Sequence, residues 1–251
     1  MRLIIGIVSY CWKFYIGIVF ITTLLLFYPF LVFFIYTSSL KHHTFKINII
    51  WSRIVRILCF YAVELEDVSS SNKAIAPYIL CANHTSYLDI FLLYSTFPEN
   101  KFLFMGKSEI LSYPLLKSFF KNLNIPVFRR DRLKAAKSLI QARNEIAKGW
   151  SIVIFPEGGI PYKTPYLMEF KDGAFKLAKS AKVGILPITF KNNYHLFSDP
   201  EDFLGWAHPG LAKVVVHPFI YNEQVENTDE KELNKMTFTA INSVLPSLPT
   251  P

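Results

Sequence analysis

The sequence predicts an α/β domain: a mixed, largely parallel sheet flanked by helices, preceded by an apolar N-terminal helical segment. Three observations predict it. From about residue 45 onward, short apolar runs alternate with helix-length amphipathic stretches, the pattern of strands joined by crossover helices. Residues 14–40 hold no charged side chain. Apolar residues make up 51% and charged residues 18% of a 251-residue chain, which supplies a full core and excludes a disordered chain. Cys11, Cys59 and Cys81 have no short spacing. That excludes a disulfide scaffold and a Cys-rich zinc module, and free thiols fit a reducing compartment.

The N-terminal segment is apolar almost throughout from Phe14 to Tyr36. As a helix it would be ~40 Å long, and ~20 residues suffice to cross a bilayer. A cleaved signal peptide has a shorter apolar run that ends in small residues. A helix in a soluble core would need apolar cover all round. A membrane anchor needs neither. A second apolar stretch, Leu3–Trp12, precedes the run but is too short to span alone, and Pro29 should kink the longer one. A spanning helix and two helices dipping into one leaflet both stay open. The flanking cations Arg2, Lys13, Lys41 and Lys46 favour the cytoplasmic face of the inner or plasma membrane. We expect an anchor of one or two apolar helices over 1–43 and a second domain over 44–251.

Charge supports that division. The formal net charge is +8, yet residues 1–63 carry six Lys or Arg and no Asp or Glu, leaving the rest at +2. A basic, apolar N-terminus suits an anionic membrane surface. No helix-turn-helix, zinc-finger or aromatic RNA-binding signature is present, so nucleic acid is not an expected partner.

In the second domain, Ile49–Tyr61 has the period of an amphipathic helix, with Arg53 and Arg56 on one side. Val63–Val68 alternates like an exposed strand, and Ser69–Asn72 is a turn. Strands are expected at Tyr78–Ala82, Phe102–Met105, Ile125–Phe128, Ser151–Phe155, Ile185–Phe190 and Val214–Val216. Helices are expected at Leu88–Ser95, Leu111–Leu123, Leu133–Lys148, Gly173–Lys182 and Asp229–Val244. Asn192–Gly210 is the longest irregular stretch and is expected to be a flexible loop.

The chemistry starts where the first buried strand ends. His84 follows the Tyr78–Ala82 run, where α/β folds place sites, and Asp89 falls five residues later in the first helical turn. That spacing lets Asp89 accept from one imidazole nitrogen while the other faces outward as a base. Such a pair deprotonates a bound hydroxyl without a protein nucleophile. On spacing alone, a turn histidine and a helix N-terminal charge are the more common reading. Cys81 sits inside an apolar run and reads as core. Ser86 lacks the Gly-x-Ser-x-Gly elbow. Gly106-Lys107-Ser108 ends like a phosphate loop, but Lys101 stands where that loop needs glycine.

Two more segments carry polar chemistry. Lys101–Lys148 holds eleven Lys or Arg against Glu109, Asp131 and Glu145. Its centre, Val127–Arg132, lies at a strand-to-helix junction, where arginine suits a phosphate ester or simply a solvated helix face. Ile154–Ile160 reads as a strand end stopped by Pro156, with Gly158 and Gly159 making a tight turn. Glu157 beside it would bind a polar head or belong to an ordinary loop.

Taken in order, these segments resemble the glycerolipid acyltransferase family over roughly residues 77–220, nearest its bacterial 1-acylglycerol-3-phosphate (lysophosphatidic acid) acyltransferases. Asn83-His84-x4-Asp89 resembles the first family block, which implies His84 as general base, Asp89 as its orienter and Asn83 beside the substrate. Phe104–Glu109 is similar to the segment whose lysine faces substrate phosphate, here Lys107. Val127–Arg130 resembles the second block, with Arg130 at its phosphate-binding arginine. Phe155-Pro156-Glu157-Gly158 matches the third block, and Phe170–Phe175 resembles the segment after it. Ile185–Ile188 resembles the fourth, which places Pro187 at the acyl-donor site. Two positions depart from the pattern. Asn124 stands where the second block usually has glycine, and Ile160 stands where the third has arginine. If that arginine holds phosphate, Lys163, Arg129 or Arg132 substitutes for it, or the acceptor differs.

The resemblance implies a glycerolipid acyltransferase-like fold, a membrane-anchoring N-terminus and an O-acyltransferase. It would move a fatty acyl group from acyl-CoA or acyl carrier protein to 1-acyl-sn-glycerol 3-phosphate, giving phosphatidic acid, with backbone amides near the turns holding the oxyanion. The thioester is a co-substrate, and no cofactor or metal is implied. Membrane phospholipid and lysophosphatidic acid are the implied partners, and the oligomeric state is unknown. The alternatives are another lysolipid or glycerol 3-phosphate as acceptor, or a non-catalytic lipid-binding protein.

Overall fold

The computed structural model describes residues 2–37, 41–68, 74–199, 202 and 205–247. The turn expected at Ser69–Asn72 lies outside them.

Helix α1 runs unbroken from Arg2 to Tyr36, through Pro29. Leu3–Trp12 therefore forms its first turns and is not a separate helix. Helix α2 spans Lys41–Leu58, starting well before the Ile49 that periodicity suggests. Its early turns are held by packing: Phe45 lies edge-on to Phe102 and Trp150, and Asn48 donates to the Tyr94 hydroxyl. The two helices pack along one face of α1, where Val19, Leu24, Leu31 and Ile35 are buried. Trp51 Nε1 donates to Thr23 Oγ1 at 2.9 Å, and Phe20 lies against Trp51 and Phe91. The opposite face of α1, from Phe14 and Ile18 to Phe30 and Phe33, is apolar and exposed.

The sheet contains β1 (Tyr61–Asp67), β2 (Ile79–Ala82), β3 (Phe102–Lys107), β4 (Ile125–Val127), β5 (Ser151–Ile154), β6 (Ile185–Phe190) and β7 (Gly210–Val216), in the order β1-β7-β6-β2-β5-β3-β4. Neighbours are parallel except β6 and β7, which run antiparallel. The sheet is thus mixed and largely parallel, as expected. Central β2 (Ile79-Leu80-Cys81-Ala82) is wholly buried, because a parallel strand covered on both faces has no solvent side. Cys81 is core, with no exposure. Edge strand β1 instead exposes Glu64, Glu66 and Asp67, charges that discourage pairing with another chain.

The remaining helices are α3 (Leu88–Thr96), α4 (Pro114–Leu123), α5 (Arg132–Ala147), α6 (Gly173–Ala181), α7 (Asn193–Leu196), α8 (Asn222–Asn227) and α9 (Glu230–Asn242). The single helix expected over Leu111–Leu123 is a 3-10 turn, Ser108–Ser112, followed by α4. Pro114 lacks the amide to continue a turn but suits a first helical position. Asp131 starts α5 by accepting from Lys134 N, and Asp229 starts α9 by accepting from Glu232 N, as N-caps do. The described part of Asn192–Gly210 is structured: it carries α7 and a Phe197–Ala207 bridge. The parallel strands β2, β3 and β5 all point their carboxyl ends to one rim of the sheet, where α/β folds bind ligands.

Candidate active site

At that rim, the chain leaving β2 is clamped before it turns. Asn83 is fully buried. Its Nδ2 donates to Phe190 O at 3.0 Å, and its Oδ1 accepts from Phe190 N at 2.7 Å. The side chain thus mimics a strand backbone and extends the β2–β6 pairing by one step. Both polar atoms of Asn83, expected beside the substrate, are thus engaged inside the protein.

The next residue is His84. Its Nδ1 lies 2.9 Å from Asp89 Oδ2, and its ring stacks on Phe155 with centroids 4.2 Å apart. Asp89 Oδ2 also accepts from the backbone amides of Thr85 (2.7 Å) and Ser86 (2.9 Å). The sequence-local spacing explains this: the first turn of α3 brings the carboxylate back over the amides that precede it. An ionised carboxylate only accepts hydrogen bonds, so beside one a neutral imidazole would carry its proton on Nδ1 and present the Nε2 lone pair. Asp89 is fully buried, while the His84 side chain keeps 13% of its surface exposed. The imidazole is therefore oriented from within and open to the rim.

Glu157, after β5, is 3% exposed. Its Oε1 accepts from His84 N at 2.9 Å and its Oε2 from Met168 N at 2.8 Å. Burial pushes its carboxyl up to about 7; the two amides oppose that push and the Asp89 charge adds to it. Glu157, expected to bind a polar head, thus sits as a strut under the histidine, each of its oxygens bonded to a backbone amide.

The turn beyond Glu157 is crowded by cations. Gly158 has φ +83°, a conformation that favours glycine. A β-carbon there would lie 2.8 Å from Lys171 Nζ and 3.5 Å from Arg129 Cζ, and one on Gly159 would lie 3.1 Å from Lys107 Nζ. Partial desolvation lowers the Arg129 pKa, and nearby Glu109 partly offsets it. Three positive groups from three segments thus meet a glycine turn next to the His84 strut. Such a cluster has the charge and the donors to hold an anionic group.

The structure therefore brings together His84, Asp89, Lys107 and Gly158 among the expected residues. Arg129 and Arg130 are both exposed, and the guanidinium found within 3.5 Å of a β-carbon on Gly158 is that of Arg129. Pro187 is buried inside β6, opposite Cys81, and lines no surface at the rim. Lys171 and Asn193 escaped the sequence reading. Lys171 is tied to the turn by its own amide, which donates to Pro156 O. Its only sequence signal was its place in the Phe170–Phe175 segment.

The chain is similar to known acyltransferases. The acyltransferase family model matches residues 63–191. The chain is 27% identical to a 1-acyl-sn-glycerol-3-phosphate acyltransferase of Chlamydomonas reinhardtii over 213 residues, 84% of this chain and 62% of that one. It is 34% identical to one of Saccharomyces cerevisiae over 151 residues, 56% of this chain and 49% of that one. It thus spans about half to three fifths of the length of these relatives. The crystal structure of a 1-acyl-sn-glycerophosphate acyltransferase of Thermotoga maritima has the same fold, with a TM-score of 0.73 at 22% identity, covering 97% of this chain and 95% of that one.

Proposed function

This chain belongs to the acyltransferase family, and on that premise we propose that it moves a fatty acyl group from an acyl thioester, on coenzyme A or acyl carrier protein, to the free hydroxyl of 1-acyl-sn-glycerol 3-phosphate, giving phosphatidic acid. The observation that carries the reading is the His84–Asp89 pair joined through Glu157 to a turn lined by Lys107, Arg129 and Lys171. The turn holds the phosphate and thereby positions the glycerol hydroxyl at His84 Nε2. The imidazole takes the hydroxyl proton as the oxygen attacks the thioester carbonyl. The tetrahedral intermediate then collapses, the carbon–sulfur bond breaks, and the imidazolium returns its proton to the thiolate. Most of the acceleration on this account is positioning.

A second reading keeps the chemistry and changes the acceptor to another lysolipid. Ile160, in place of the family's arginine, is the observation that favours it. An acceptor panel separates the two: purified protein in detergent micelles, labelled acyl-CoA or acyl carrier protein, and lysophosphatidic acid, lysophosphatidylcholine, glycerol 3-phosphate and monoacylglycerol. Preferred transfer to lysophosphatidic acid supports the first reading. Preference for an acceptor lacking a phosphate monoester supports the second.

We read residues 1–43 as anchor and 44–251 as catalytic domain, seated at the cytoplasmic face. The candidate span Ile5–Tyr36 has one side packed on α2 and one side apolar and exposed. Lys13 Nζ donates to backbone carbonyls of Asp199 and Asp202, which ties α1 to the catalytic domain. Both features support a helix lying partly in one leaflet over a crossing helix surrounded by lipid. In that position lipid acceptor and product reach the rim without crossing water.

A further inference from the structure

Asp89 has two carboxylate oxygens, and the residues around His84 account for only one of them. Oδ2 takes the imidazole and the amides of Thr85 and Ser86. Oδ1 accepts from Asn193 Nδ2 at 2.6 Å, between two side chains that are both fully buried. Asn193 belongs to α7, in the β6–β7 connection, 104 residues along the chain from Asp89. We propose that Asn193 is a positioning residue for acyl transfer. It holds the plane of the Asp89 carboxylate, and through it the tautomer and direction of the His84 imidazole. The inference rests on the reading of His84 as the base.

The surrounding framework suits such a role. Asn192, immediately before, donates to Leu211 O at 2.8 Å and accepts from Lys213 N at 2.8 Å, which locks the base of α7 onto β7. Ser86 Oγ donates to Phe197 O at 2.6 Å, which locks its far end to the turn before α3. Asn193 is thus presented to Asp89 from a segment fixed at both ends. Rotation about the Asp89 Cβ–Cγ bond would move the acceptor that orients Nδ1, and the three bonds on Oδ2 all come from residues 84–86 of its own segment. The Asn193 bond on Oδ1 adds a restraint from a distant element, so that movement of the residue 84–89 segment alone cannot turn the carboxylate. Hydrogen bonds to a charged group are among the stronger ones in proteins, and this one is sealed from water.

The test compares wild type with Asn193→Leu, similar in volume but without a donor, and Asn193→Asp, of the same shape but able to donate only when protonated. The first readout is the imidazole ¹⁵N spectrum of His84, which reports the tautomer independently of any substrate. A single Nδ1-protonated tautomer in wild type that becomes a mixture in Asn193→Leu is expected. An unchanged tautomer overturns the proposal even if no acceptor is ever found. The second readout is kinetic: kcat for acyl transfer falls about ten-fold in Asn193→Leu, by the loss of one charge-assisted hydrogen bond, while KM for the acceptor stays the same. If Asn193→Leu does not fold, the ratio of Asn193→Asp to wild-type rate decides. It should rise as the pH falls, because the new carboxyl recovers its donor. The other charges facing His84, from Glu157 and from Lys107, Arg129 and Lys171 around the turn, are common to both proteins and cancel in the ratio. A ratio independent of pH, or a kcat equal to wild type, contradicts the role.

Discussion

Glu157 Oε1 accepts the backbone amide of His84 at 2.9 Å, so the third sequence block supports the first from below. A glutamate there does what glutamine cannot. Both its oxygens face backbone donors, from His84 and Met168, and a glutamine would turn its amide nitrogen on one of them. One buried N–H would then lack an acceptor, at a cost of about 1–3 kcal/mol. Above about pH 7, where the carboxyl is ionised, Glu157→Gln should therefore lower stability by about that amount in denaturant melts, and lower kcat by moving the His84 backbone. Unchanged values of both would remove the strut.

The same residue gives a pH signature. Its folded-state pKa is raised from 4.5 to about 7, so the stability it contributes is full below about pH 4.5 and is lost as pH rises through 7. Thermal melts at several pH values should show this decline in wild type and a flatter profile in Glu157→Gln.

His217 works in the opposite sense. It is 2% exposed, and its Nε2 meets Thr189 Oγ1 at 2.8 Å, whose hydroxyl donates to Ile241 O. Burial pushes its pKa down from 6.5 to about 4. The neutral form is thus favoured by folding, and stability is present above pH 6.5 and lost as pH falls toward 4. His217→Gln should flatten that acid slope. An unchanged slope would show that the loss arises elsewhere.

On the proposed reading, the cation-lined turn binds the acceptor phosphate and not the donor. Lys171→Met and Arg129→Met should each raise KM for lysophosphatidic acid about ten-fold, the size expected for losing a charge-assisted hydrogen bond to phosphate, with KM for the donor unchanged. Arg130→Met should have a much smaller effect. Steady-state kinetics with each substrate varied in turn gives the answer; a larger effect at Arg130 than at Arg129 would reverse the assignment.

Membrane attachment is testable on the exposed face of α1. Leu25 and Phe30 are more than half exposed there, whereas Val19 and Leu31 pack inward. Leu25→Asp combined with Phe30→Asp should weaken binding to anionic vesicles in a flotation assay, with little change in melting temperature. Leu31→Asp should instead unfold the α1–α2 packing. Vesicle binding unaffected by the double substitution would contradict the anchor.

What could be read beforehand was what is local along the chain. The apolar runs of β2 and β6 announced buried parallel strands, and His84 and Asp89 are close enough in sequence for one helical turn to join them. What could not be read depends on distant backbone. The partners of Glu157 and Asn83, the backbone of His84 and of Phe190, are brought to them only by the tertiary fold. Arg129 and Arg130 are adjacent in a turn, where no periodicity decides which side chain points inward. Asn193 and Lys171 reach the site from segments that only the tertiary fold brings near. The start of α2 was missed because Phe45 and Asn48 are held by α3 and the sheet, not by an apolar stripe of their own.

The central claim is that His84, oriented by Asp89, takes the proton from an acceptor hydroxyl. Its most direct test is the rate of labelled acyl transfer to lysophosphatidic acid by wild type and by His84→Ala, both folded and in the same micelles. The account predicts transfer by wild type and a loss of at least about a hundred-fold in the variant, the scale of general-base catalysis. Equal rates in the two proteins would contradict it.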